Sequence, residues 1–161
     1  MFKNCLFIAL LIIISHTAFA NSNGDTTIPK KRYDTKRLTG KTITLDGVPD
    51  EEAWNLVEWG GDFTQWQPNE GKAPSQPTRF KILYDNKFLY VAYDCIDSTP
   101  KLIEKRLGRR DDFPGDFVEI NIDSYHDLRT GFSFTTSASG VRGDESISNN
   151  GNNWDEHWNP I

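Results

Sequence analysis

The amino-acid sequence predicts an all-β protein with an antiparallel β-sandwich fold. Three observations support this prediction. Hydrophobic residues alternate with polar ones over several short stretches, turn-forming residues separate these stretches, and only one or two helical turns are indicated. Such a succession is typical of two packed antiparallel sheets.

The first twenty residues have the layout of a secretory signal peptide. The positively charged Lys3 precedes an unbroken apolar run at residues 6–14, and small residues stand at Ala18 and Ala20, the positions that a signal peptidase reads. The apolar run is far shorter than the roughly 20 residues that a membrane-spanning helix needs. We therefore expect residues 1–20 to be removed and the protein to act in the periplasm, at the outer membrane or outside the cell.

The mature chain is predicted to start with a flexible polar lead-in at residues 21–38, followed by one domain at residues 39–161. Cys5 lies inside the signal peptide, so Cys95 is the one cysteine of the mature chain and an intrachain disulfide is excluded. The domain must therefore be stabilised by a hydrophobic core. The chain ends at Ile161 without a polar tail, and we expect it to be part of a longer protein whose further strands would cover an open sheet edge.

The charge balance argues against a nucleic acid as a partner. Loss of Lys3 leaves 17 basic side chains of the original 18, against 23 acidic ones. A mildly acidic domain without a basic patch lacks the charges that bind phosphate groups. The aromatic content of 12% suits an exported domain that binds sugars, although composition alone does not establish this.

The elements are predicted in the following order. A β-branched strand at residues 41–45 precedes a helical turn at residues 49–54, which would place Trp54 in the core. Alternating apolar residues on both sides of a turn at residues 85–87 predict a β-hairpin over residues 78–95.

Three further strands are predicted at residues 117–122, 130–137 and 141–148. In the first of them the apolar side chains lie on one face, while Glu119 and Asn121 lie on the other, because successive side chains of a strand point to opposite faces. These strands complete the predicted sandwich.

Four segments carry a resemblance to a known family. In chain order they are Ile43-Thr-Leu-Asp46-Gly47-x-x-Asp50-x-x-x-Trp54, Leu83-Tyr-Asp85-x-x-x-Leu89-Tyr90-Val91, Asp97, and Asp116-Phe-Val-Glu119-Ile-x-Ile-Asp123. Their order and spacing resemble family 9 carbohydrate-binding modules over roughly residues 42–140. The chain is most similar to the branch found at the N-terminus of long exported bacterial proteins that carry a C-terminal region resembling an outer-membrane barrel.

The resemblance implies an immunoglobulin-like or jelly-roll-like sandwich that binds an oligosaccharide or polysaccharide between aromatic side chains, often with bound calcium. The family's aromatic wall falls on Phe113, where the family has a tryptophan, and its sugar-contacting carboxylate falls on Glu119. The family's sugar-contacting arginine falls near Thr135, which cannot replace it. Asp97 matches a calcium ligand of the family. Modules of this kind occur attached to enzymes that hydrolyse O-glycosyl bonds, which implies a role in carbohydrate catabolism.

Sugar binding needs an aromatic plane for the apolar face of the ring and polar side chains for its hydroxyl groups. Phe113, in a polar loop before Pro114 and Gly115, is the first candidate plane; alternatively it anchors its loop as a buried hydrophobic residue. Trp66, between two glutamines, is the second candidate plane, and its alternative is packing across the end of the sandwich.

Several acids between residues 111 and 127 suggest a calcium site, because calcium prefers carboxylate and carbonyl oxygens. From this stretch Asp116 joins Asp97 as a candidate calcium ligand. The stretch lacks the pattern of an EF-hand loop. The alternative is a solvated acidic face that the nearby arginines partly neutralise.

Catalysis, haem binding and structural docking are the alternatives to sugar binding. A glycosidase needs two suitably spaced carboxylates, but no acid stands in an apolar setting, so the domain is predicted to be non-catalytic. A haem site with a Met–His ligand pair is excluded because Met1 is the only methionine. The serious alternative is a structural docking module of a larger outer-membrane protein with a degenerate sugar site. Sugar binding predicts an exposed aromatic beside a hydrogen-bonding cluster, whereas docking predicts an exposed apolar patch.

Overall fold

The structure is a computed structural model that describes residues 30–155. Two compact units are distinguished, Met1–Arg32 and Tyr33–Ile161. Of the first only residues 30–32 are described, so the predicted signal peptide lies outside the described residues. The second contains seven strands, which confirms the predicted all-β class. None of the described helices is both long and apolar enough to cross a membrane.

The seven strands form two sheets. The first sheet has the order β1-β2-β3 and the second the order β4-β5-β6-β7. Their bounds are β1 Lys36–Arg37, β2 Thr78–Tyr84, β3 Leu89–Cys95, β4 Phe117–Ile122, β5 Gly131–Ser137, β6 Arg142–Ser148 and β7 Asn153–Asp155. All neighbouring strands pair antiparallel except β1 and β2, which pair parallel.

The predicted hairpin is the β2–β3 pair, in register from Thr78 opposite Cys95 to Tyr84 opposite Leu89. Its turn is held by Asp85, whose Oδ1 accepts hydrogen bonds from the backbone N–H groups of Lys87 and Phe88 at 2.7 and 2.8 Å. The Tyr90 hydroxyl donates to Asp85 Oδ2. One aspartate therefore satisfies both the turn and the strand that follows it.

The turn makes stability dependent on pH. Hydrogen bonds from the Lys87 and Phe88 backbone lower the pKa of Asp85 below its ordinary value of 3.8. The stabilisation is therefore complete above that value and is lost as the pH falls through the lowered folded-state pKa. We expect Asp85→Ala to lower the Tm at neutral pH and the two Tm values to converge only as the pH falls from 3.8 through the lowered folded-state pKa of Asp85. A thermal melt series against pH measures this, with the non-ionising, exposed Ser75→Ala as control. A Tm difference that stays constant down to low pH would contradict the assignment.

The hydrophobic core lies on one face of the first sheet. Its buried residues are Leu38, Ala53, Trp54, Val57, Leu83 and Ala92. Trp54 belongs to a short 3-10 helix, Glu52–Leu56, which begins three residues after the start of the turn predicted at residues 49–54; the predicted core position of this tryptophan is confirmed. The Trp54 indole N–H donates to Glu51 Oε2 at 3.0 Å, so the buried ring has its polar group satisfied.

The region before this helix differs from the prediction. Residues 41–45 form no strand, and Leu45 is 89% exposed. The backbone N–H of Thr44 donates to the side chain of Glu51 rather than to a neighbouring strand. Conversely, the folded unit begins before the predicted boundary at residue 39: Leu38 is buried and donates its N–H to the Tyr84 carbonyl at 2.6 Å.

A cavity of about 590 Å³ lies between the two sheets and has mainly apolar walls. Val91 and Ala92 both line it, although successive residues of a strand point to opposite faces. The cavity therefore runs along the edge of β3. Among residues 30–155, β3 pairs only with β2, so this edge is open. The opposite wall comes from β4 and β5, through Val118, Ile120 and Phe134.

Candidate functional site

The second sheet has two chemically different faces. Val118, Ile120 and Ile122 of β4 line the cavity, and the alternate residues of this strand lie on the opposite face, as the sequence predicted for Glu119 and Asn121. Residues paired across neighbouring strands share a face, so the strand register defines this surface. We call it the polar face; it consists of Phe117, Glu119, Asn121, Ser133, Thr135, Ser137, Gly143 and Glu145. Its members on β5 and Gly143 are buried.

The carboxylate of Glu119 is fixed by two hydrogen bonds. Thr135 Oγ1 donates to Oε2 at 3.1 Å, and Asn121 Nδ2 donates to Oε1 at 2.8 Å. A carboxylate oxygen accepts more than one hydrogen bond, so each oxygen keeps capacity for a further donor. Glu119 is half-buried, and it is therefore both held in one orientation and open to a ligand.

Phe113 lies on the polar face, two strands away from Glu119. Its ring covers Gly143: a Cβ atom at residue 143 would lie 2.1 Å from Cζ of Phe113. Gly143 is opposite Thr135 in the sheet, and Thr135 is opposite Glu119. The ring of Phe117 is 5.7 Å from that of Phe113, centroid to centroid. One row across the sheet thus joins an aromatic plane to a hydrogen-bonding carboxylate.

The loop that carries Phe113 is attached to β6. The backbone N–H of Asp111 donates to the Arg142 carbonyl at 3.3 Å, and the N–H of Asp144 donates to Asp111 Oδ1 at 3.1 Å. Arg110 forms an ion pair with the buried carboxylate of Asp144. These contacts hold the loop along the sheet and set the position of the Phe113 ring.

Tyr93 links the strand of Glu119 to the first sheet. Its hydroxyl donates to the backbone carbonyl of Glu119 at 2.9 Å. Burial raises the pKa of the Tyr93 phenol, and the nearby Cys95 and Glu119 raise it further. The phenol therefore stays protonated and remains a donor at neutral pH.

Trp66 does not join this site. Its side chain is 76% exposed in a loop that closes on itself, with the Gln65 N–H donating to the Lys72 carbonyl at 2.8 Å. None of the hydrogen bonds or ring contacts described for residues 30–155 connects Trp66 with Phe113 or Glu119. The structure therefore brings two of the three predicted sugar-binding residues together and leaves the third as a separate exposed aromatic.

The two predicted calcium ligands are occupied by local hydrogen bonds. Asp97 Oδ1 accepts from the backbone N–H of Thr99 at 2.6 Å, and Asp116 Oδ2 accepts from the N–H of Glu104 at 2.9 Å. Calcium takes six to eight oxygen ligands, whereas residues 30–155 contain no group of three or more His, Cys, Asp or Glu side chains arranged to hold a metal. Calcium binding at Asp97 and Asp116 stays a prediction.

The sequence did not single out Ser133, Gly143 or Glu145. Ser133 and Glu145 are polar residues on strands, and their position in one row with Asn121 follows only from the register of β4, β5 and β6. Gly143 carries no local signal, because its backbone is an ordinary strand and its role is to leave room for the Phe113 ring. A period-two reading of all three strands together could have found Ser133 and Glu145 but not Gly143.

Comparison with known proteins gives one match. A family model described as "Carbohydrate family 9 binding domain-like" matches residues 45–159. The match includes every residue of the polar face and Phe113. No curated protein and no solved structure matches the chain.

Proposed function

The chain belongs to the carbohydrate family 9 binding domain-like family, and from this premise we propose that its polar face is a non-catalytic binding site for an oligosaccharide or polysaccharide. One observation carries the proposal: Phe113 presents an aromatic ring in the same row of the sheet as the hydrogen-bonded Glu119 carboxylate. A sugar ring would pack its apolar face on Phe113 and donate its hydroxyl groups to Glu119.

The half-buried ring of Phe113 fits both interpretations made from the sequence. Packing on Gly143 and Phe117 anchors the loop, and the remaining surface of the ring is open to a ligand. Thr135, at the position of the family's arginine, orients Glu119 instead of offering a positive charge. We infer a site with fewer donors than the family pattern and correspondingly modest affinity.

The setting of this function is also part of the proposal. The signal-peptide pattern at residues 1–20 supports export to the periplasm, the outer membrane or the cell exterior. The family resemblance supports a role in carbohydrate catabolism within a larger protein with a barrel-like region.

Calorimetric titration with xylo- and cello-oligosaccharides tests the proposal. We expect saturable binding to the wild type, and about tenfold weaker binding for both Phe113→Ala and Glu119→Ala, because each removes roughly 1.4 kcal/mol or more of contact. Phe88→Ala changes an exposed aromatic side chain in the turn between β2 and β3; it is the control and should bind like the wild type. Titration of Trp66→Ala shows whether Trp66 or Phe113 is the aromatic side chain that binds the sugar.

Loss of binding in Trp66→Ala with full binding in Phe113→Ala would move the site to the loop of the first sheet. A flat titration with a demonstrably folded protein would overturn sugar binding and favour the second candidate, a structural docking module.

The docking function has its own supporting observation. The cavity beside the open edge of β3 is lined by apolar side chains that remain substantially exposed, among them Leu45, Leu89 and Phe134. An open strand edge offers unpaired backbone N–H and C=O groups, which an added extended strand would satisfy while its side chains filled the cavity. This surface is separate from the polar face, so docking there and sugar binding on the polar face are compatible.

A further inference from the structure

The connection between β3 and β4 contains a stretch that we call the basic segment, residues 99–110. It holds five basic residues and one acidic residue, although the whole chain carries a net charge of −5. The acidic balance of the chain therefore conceals a local excess of positive charge. The basic residues are Lys101, Lys105, Arg106, Arg109 and Arg110, and the acidic one is Glu104.

Three cations of the basic segment have no acidic partner. Arg106 and Arg110 form ion pairs with neighbouring acids. Lys101, Lys105 and Arg109 take part in none of the ion pairs found within residues 30–155, and all three are exposed. Their charges therefore remain available to an anionic partner.

Two leucines are exposed among these cations. Leu102 is 78% exposed and Leu107 is 84% exposed. The ion pair between Glu104 and Arg106, two residues apart, places these two side chains on one side of the backbone, so Lys105 and Leu107 point to the other side. Five residues of chain span at most about 17 Å, and the two leucines and the cations between them therefore belong to one small surface patch.

The backbone of the basic segment is attached to the second sheet. The N–H of Glu104 donates to Asp116 Oδ2 at 2.9 Å, and the N–H of Asp116 donates to the Glu104 carbonyl at 3.2 Å. The Ser139 hydroxyl donates to the Arg106 carbonyl at 2.7 Å. The leucines are thus held outward by an anchored backbone. Single exposed leucines are ordinary, but apolar side chains interspersed with uncompensated cations are typical of surfaces that bind anionic membranes.

We propose that the basic segment is a docking surface for an anionic lipid bilayer. Lys101, Lys105 and Arg109 attract the phosphate groups of the lipids, while Leu102 and Leu107 enter the boundary between headgroups and acyl chains. The positive charge favours a bilayer over an apolar protein partner, and the leucines favour it over a soluble polyanion. This surface is independent of the proposed saccharide site and adds a second contact to an exported protein.

Co-sedimentation with lipid vesicles tests the proposal. The protein is used from residue 21 onward, its expected mature form, because the apolar run at residues 6–14 would itself enter a bilayer. We expect vesicles of phosphatidylglycerol and phosphatidylcholine in equal amounts to bind the protein at least about tenfold more strongly than vesicles of phosphatidylcholine alone. Raising the salt to about 0.5 M, which shortens the Debye length to about 4 Å, should weaken this binding. Equal binding to the two kinds of vesicle overturns the proposal.

A charge variant locates the contact. Each basic residue near an anionic membrane strengthens binding about fivefold, so loss of the three cations should weaken binding to the mixed vesicles at least about tenfold. The variant combines Lys101→Gln, Lys105→Gln and Arg109→Gln. Its control removes the same total charge from exposed lysines elsewhere, through Lys36→Gln, Lys72→Gln and Lys87→Gln. If both triple variants bind the vesicles equally well, net charge and not the basic segment governs binding.

A leucine variant separates bilayer docking from a purely electrostatic contact. Leu102→Ser combined with Leu107→Ser keeps every charge and should weaken binding to the mixed vesicles at least about fivefold, because the apolar side chains no longer leave water. Leu45→Ser, at a leucine that is 89% exposed outside the segment, should bind like the wild type. Undiminished binding by the double leucine variant would show that the segment contacts anions without entering a bilayer, which overturns the proposal.

Discussion

Gly143→Ala is expected to displace Phe113. Among substitutions that add one methyl group to the second sheet, it should reduce saccharide affinity the most. The new Cβ would lie 2.1 Å from Cζ and 2.9 Å from Cε2 of Phe113, and 2.9 Å from Oδ1 of Asp111. These distances are far inside van der Waals contact, and Asp111 is itself bound to the backbone of Asp144. The loop must therefore move, which would cost about 1–3 kcal/mol of stability and remove the aromatic plane from its place beside Glu119.

Gly61→Ala is the matched control. A Cβ atom at residue 61 would meet the Thr78 carbonyl at 3.5 Å, an ordinary contact distance. Calorimetric titration with cello-oligosaccharides, together with thermal melts, should show loss of binding in Gly143→Ala and unchanged binding in Gly61→Ala. If Gly143→Ala is folded and binds like the wild type, Phe113 does not supply the aromatic plane of the site.

The largest effect on stability is expected from Leu83→Ala. Leu83, near the C-terminal end of β2, is 0% exposed and packs in the core with Leu38, Trp54 and Ala92. Truncation removes three carbon atoms, Cγ and its two methyl groups, from a closely packed site, and such changes cost about 2–5 kcal/mol because the surroundings fill the cavity only in part. Since a domain of this size has a total stability of about 5–15 kcal/mol, a large fraction of the molecules would unfold under mild denaturing conditions.

Urea denaturation followed by tryptophan fluorescence measures this change. Leu102→Ala provides the same chemical change at a side chain that is 78% exposed, and it should alter the free energy of unfolding by less than about 0.5 kcal/mol. Similar changes in the free energy of unfolding for Leu83→Ala and Leu102→Ala would show that the stability of the core does not depend on the packing of β2.

The sequence predicted those parts of the fold that depend on local signals. The β2–β3 hairpin follows from alternation on both sides of a turn that one aspartate side chain closes. The strand at Phe117–Ile122 follows from its period-two pattern. Trp54 was predicted to lie in the core from a short helical turn, and the structure confirms this position because the 3-10 helix Glu52–Leu56 buries Ala53 and Trp54.

Long-range contacts account for the differences. Residues 41–45 have strand-like composition, but their backbone meets the side chain of Glu51 instead of an adjacent strand. Lys36–Arg37 has no strand pattern, and it forms β1 because it reaches the free edge of β2 in parallel orientation. Neither outcome is encoded in a local pattern.

In the candidate site, too, local signals were predictable from the sequence and long-range contacts were not. The face of Glu119 and Asn121 was predictable from alternation along β4 alone. The position of Phe113 depends on a loop held to β6 by Asp111 and on the absence of a side chain at Gly143. The predicted roles of Trp66 and Asp116 rested on residue type and that of Asp97 on the family resemblance, and three-dimensional placement decides whether such residues come together in one site.

The location of the core has a consequence for local unfolding. Every buried hydrophobic residue of the described core comes from residues 38–92, and none from β4 to β7. Regions with few buried apolar contacts open at a lower free energy than the molecule as a whole. Amide protons of β5 and β6 should thus exchange with solvent faster than those of β2, and a saccharide on the polar face should slow them selectively. Ligand binding would then stabilise the second sheet, which opens most readily when no ligand is bound.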